Sequence, residues 1–97
     1  MPEFNLEERR QEALYHLENA AFNYMHQMTT ARKDIDASIT YAKNGRRVPY
    51  SDGPLSPTQA SALMQAHHAV EAAIVTCRAL GVEAEKIDAA YKQGMNR

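Results

Sequence analysis

Apolar residues recur along the first half of the chain at Leu14, Leu17, Ala21, Tyr24/Met25, Met28, Ala31, Ile35, Ile39 and Ala42. Their intervals alternate between three and four, which draws one stripe down a helix instead of the alternation of a strand. Neither glycine nor proline occurs from Glu3 to Asn44. Asn5, with Glu8 three residues on, supplies an N-cap and its reciprocal partner. Gly45 supplies a left-handed stop. The pattern predicts a helix over 5–44, with Thr29-Thr30 as its weakest point because β-branched residues lose rotamer freedom in a helix.

The second half repeats the period. Ser56 is placed as an N-cap, Pro57 suits the first helical position and Gln59 completes the capping-box spacing. Leu63, Ala66, Val70, Ala73/Ile74, Cys77 and Leu80 continue a stripe that stops at Gly81. A helix over 57–80 is predicted, then a shorter one over 82–94 with Ala84, Ile87, Tyr91 and Met95 on one side. At 1.5 Å per residue the two shorter helices together span roughly 56 Å, about the length of the first. The expected fold is a single all-α domain over 1–97, a long helical hairpin in which helices two and three run back along helix one. This register sets Ile39 near Leu63 and Leu14 near Ile87. A tip loop over 45–56 joins the arms, longer than the 2–8 residues such connections usually take.

Charge is unevenly placed. Helix one carries Glu7, Arg9, Arg10, Glu12, Glu18, Arg32, Lys33, Asp34 and Asp36, whereas between Gly53 and Cys77 the only charged residue is Glu71. Alanine occupies almost every side of helix two, at positions 60, 62, 66, 69, 72, 73 and 79. Alanine is the best helix former, so the composition is in part propensity. The absence of charge nevertheless leaves two faces fit for burial, one on helix one and one on something else. A 97-residue chain buries only about 60–65% of the surface its unfolded form exposes. The expectation is a homo-oligomer, a dimer or larger, in which hairpins pair into a four-helix-bundle-like assembly. Leu63, Ala66, Ala69, Val70, Ala73 and Ile74 are the expected seam.

The remaining chemistry is sparse. Glu12/His16 and His67/Glu71 are i, i+4 pairs that could each present two ligands, but the hairpin register holds them too far apart to share a metal. Cys77 is the only cysteine. It sits on the apolar stripe, with Arg78 about 100° away around the helix, and reads as a buried hydrophobe instead of a nucleophile. No glycine-rich phosphate loop, GxSxG or HExxH occurs, so no enzyme and no cofactor is expected. Lys43, Arg46, Arg47 and Tyr50 gather at the tip, where basic groups favour the negative end of helix one. The formal net charge is −1, without the broad basic stripe of a nucleic-acid domain. With no secretory segment and no apolar run approaching 18 residues, a cytoplasmic protein with no membrane contact is expected.

These readings converge on a small non-enzymatic helical protein of phage or bacterial type. It would self-associate and bind a partner protein as an adaptor, inhibitor or assembly factor. The rival is an oligomer that sequesters a nucleotide-type ligand through Arg46, Arg47 and Tyr50, a cationic and aromatic set suited to phosphate and base.

Overall fold

The computed structural model describes residues 5–43 and 57–97. Three helices account for nearly all of them: α1 (Leu6–Lys43), α2 (Pro57–Ala79) and α3 (Ala84–Met95). The all-α class holds, and α1 is the spine on which both other helices pack. The expected tip loop, with the Ser56 cap and the Gly45 stop, lies outside the described residues.

Local chemistry accounts for the start and continuity of α1. The Glu8 amide donates to Asn5 Oδ1 at 3.1 Å, satisfying one of the donors that a helix start leaves free. The helix runs unbroken through Thr29 and Thr30. Both hydroxyls turn back onto the preceding turn, donating to the carbonyls of Met25 at 2.9 Å and His26 at 3.0 Å.

α2 lies antiparallel to α1. The Tyr24 and His67 rings meet edge-on with centroids 5.5 Å apart, and Arg10, lower on α1, reaches Leu80 at the far end of α2. Counting from the Tyr24–His67 contact, Leu63 stands level with about Met28, roughly three turns from the expected neighbour Ile39.

The expected direction of α3 is corrected. It does not extend α2 along α1 but doubles back, so that α1, α2 and α3 run up, down and up. Leu80–Glu83 makes the reversal. The Gly81 amide donates to the Arg78 carbonyl at 3.0 Å and the Val82 amide to the Cys77 carbonyl at 3.0 Å. These are the paired bonds of a Schellman stop, with Gly81 at φ +78 in the left-handed position. The start of α3 lies by the start of α1, where Lys86 acts on Glu7, and its end lies by residues 18–22. Folding back lets a short helix add a third wall to the core, which an end-to-end arrangement would forgo.

The core lies in this three-helix half. Ala13 and Leu17 from α1, Val70 and Cys77 from α2, and Ile87 and Ala90 from α3 form one cluster, with Leu17 and Cys77 fully enclosed. Leu14, Tyr24, Ala73, Ile74, Leu80 and Val82 pack around it. The expected face of α3 is also corrected. Ile87 is buried and Tyr91 packs against the core as expected, but the other buried residues of α3 are Ala90 and Gly94, and Ala84 is exposed. Small residues at 90 and 94 let α3 approach α1 more closely than Tyr91 or Met95 would. Among the described residues no buried side-chain nitrogen or oxygen lacks a hydrogen-bond partner.

Candidate functional site

Each expected seam residue can now be placed. Ala66 and Val70 retain 3% and 5% of their exposure, because α1 covers them within one chain. Ala73 and Ile74 pack against the same cluster, and Leu63 is half-buried. Ala69 alone of the six is exposed. The stripe chosen from the sequence is thus mainly the one that α2 gives to α1, and its surface is largely consumed inside the chain. Of the tip residues, Lys43 is exposed as the last residue of α1, while Arg46, Arg47 and Tyr50 lie outside the described residues.

The second face of α2 points elsewhere. Met64 and Val75 are 61% and 63% exposed, the two most exposed large apolar side chains on this helix. Eleven residues apart, they fall within about 20° of each other around the helix and three turns apart along it. His68 and Glu71 are exposed between them, with Ser61, Ala72 and Ala79 alongside. Glu71 is the only charged residue of this set. Its Oε1 lies 2.9 Å from Nδ1 of His67, whose ring stands against Tyr24. The sequence signalled the lack of charge but did not separate the two faces, because alanine occurs on both.

A groove opens where α2 and α3, each packed on α1, leave space between them. Its volume is about 240 Å³, lined by Ile74, Arg78, Ala84, Ile87, Asp88 and Tyr91. Asp88 is held by Lys92 at 2.9 Å.

Two basic side chains missed in the sequence lock the three-helix half. Arg10 Nε donates to the Leu80 carbonyl at 2.7 Å, a carbonyl that the helix stop leaves unpaired. Arg97 reaches Glu18 Oε1 at 2.6 Å and Asn19 Oδ1 at 3.0 Å, and its guanidinium lies 5.2 Å from the Phe22 ring centre. Neither leaves a signature in sequence spacing, since each acts across about 70 or more residues.

Of the groups singled out for chemistry, His67 and Glu71 meet on α2, while Cys77 lies apart in the core. Cys77 is enclosed, and burial raises its thiol pKa above the ordinary value. Glu7, at the foot of α1, has its carboxyl pKa lowered, chiefly by the Gln11 amide donating at 3.0 Å and also by Lys86 and Arg10. Among the described residues no three His, Cys, Asp or Glu side chains gather as a metal set, and no helix is long and apolar enough to cross a membrane. Comparison with protein-family models, curated proteins and solved structures gives no match.

Proposed function

We propose that this chain is a non-enzymatic helical interaction protein that self-associates through the outer face of α2. One observation carries the reading. With α1 and α3 already packed, α2 still presents Met64 and Val75 more than half exposed on a face whose charges are Glu71 and, at the last turn, Arg78. A solvated helix face normally carries charge, and α1 does so with ion pairs such as Arg9–Glu12 and Arg32–Asp36. Pairing two such faces would bury the apolar side chains and supply the surface that so small a core lacks.

The face can be tested apart from the fold. Met64→Glu/Val75→Glu places two carboxylates on it without touching Ala66, Val70 or Cys77. Light scattering is expected to give a dimeric or larger wild type and a monomeric double variant with the same far-ultraviolet circular dichroism. A variant that keeps the wild-type oligomeric mass would show that association uses another surface.

A further inference from the structure

Four side chains form the centre of the exposed stripe on α2: Met64, His68, Glu71 and Val75. At 100° per residue they fall within an arc of about 60°. Their intervals are four, three and four, so the positions read the same from either end. Their chemistry is nearly as symmetric, with an apolar group outside and an imidazole and a carboxylate within. An isologous two-fold contact requires this self-complementarity, because if residue i meets residue j then j must meet i. Parallel pairing would instead set Glu71 level with Glu71 and His68 with His68.

Resting on the α2-to-α2 association proposed above, we infer that the second copy packs antiparallel about a two-fold axis passing between Ala69 and Val70. Each Met64 then packs on the partner's Val75, and each His68 faces the partner's Glu71. Glu71 has an oxygen to offer, because its own His67 engages Oε1 and leaves Oε2 to accept. The polar pattern supplies orientation: an antiparallel pair gives each Glu71 carboxylate an imidazole across the seam, whereas a parallel pair sets the two carboxylates at one level, where they repel. Ala72 and Ala79 beside the stripe allow the helices to approach closely.

Variants that each add one cysteine test the register, with Cys77 enclosed in the core. Met64→Cys and Val75→Cys chains, mixed equally and mildly oxidised, are expected to form mainly the 64-to-75 crosslink. Predominance of 64-to-64 and 75-to-75 crosslinks would overturn the antiparallel register and leave self-association standing. A charge exchange gives a second reading. His68→Glu alone is expected to weaken dimerisation at least about tenfold, and His68→Glu/Glu71→His to restore most of the loss. An exchange that fails to restore it would contradict the pairing of these two positions. A monomeric wild type at all concentrations would remove both the register and the self-association on which it rests, leaving the face to a different protein.

Discussion

Gly94 has no room for a side chain. A Cβ built there would run into the Glu18 carbonyl oxygen and come within 2.8 Å of the Ala21 methyl. Both obstacles belong to α1, and the nearest is backbone, which cannot turn aside as a flexible side chain does. Gly94→Ala is therefore expected to cost about 2–3 kcal/mol, toward the upper end for overpacking. In a domain of this size that lowers the melting temperature by about 10 °C or more, as a thermal melt would show. Cys77 makes the complementary case. It is fully enclosed and its pKa is raised by burial, so a thiol reagent is expected to label it only slowly in the native protein and at once in denaturant. Rapid native labelling would place the side chain outside the core. At this scale legibility is uneven: the Asn5 cap and the stop at Gly81 were written in the sequence, because both are local. Gly94 and Arg10 were not, because their meaning comes from what they meet on another helix. The small residues at 90 and 94, following Ile87 at helical spacing, were the one available sign of the close approach.

At the scale of elements, the spacing of apolar residues predicted three helices, and three are found, with the start of α1, the end of α2 and both ends of α3 within two residues of those expected. It did not fix the direction of α3. A long helix matched in length by two shorter ones is compatible with an end-to-end row, yet the Schellman stop reverses the chain and makes a three-helix half instead. The geometry has a direct consequence: a spin label attached at residue 97 is expected to broaden amide resonances near Glu18 to Phe22 and leave those near Lys43, at the far end of α1, sharp. Broadening confined to residues 5–9 would mean that α3 does not double back. The reversal itself depends on a left-handed residue. Gly81→Ala puts a Cβ at φ +78, 3.1 Å from the Arg10 guanidinium, and is expected to destabilise by about 1–2 kcal/mol. A loss of that order in denaturant unfolding, without loss of helix content in the native state, would match the account.

For the molecule as a whole, the fold is an extended frame, 65 Å by 24 Å by 17 Å, whose main buried cluster among the described residues lies in the half where three helices meet. Such a shape leaves much surface per residue. The charged faces of α1 and α3 tolerate that exposure through their ion pairs, but the outer face of α2, with Met64 and Val75 uncovered, does not have this protection. The lack of charge on α2 predicts two buried faces, of which the packing within the chain accounts for one. It could not say which residues served which partner, since alanine fits either face and only the packed helices separate them. The central claim is that a second copy covers the outer face. Sedimentation equilibrium of the unmodified chain, from micromolar to hundreds of micromolar, tests it most directly. A mass rising with concentration from the 10.9 kDa monomer toward a multiple of it is the predicted result. A constant monomer mass across the whole range would contradict it.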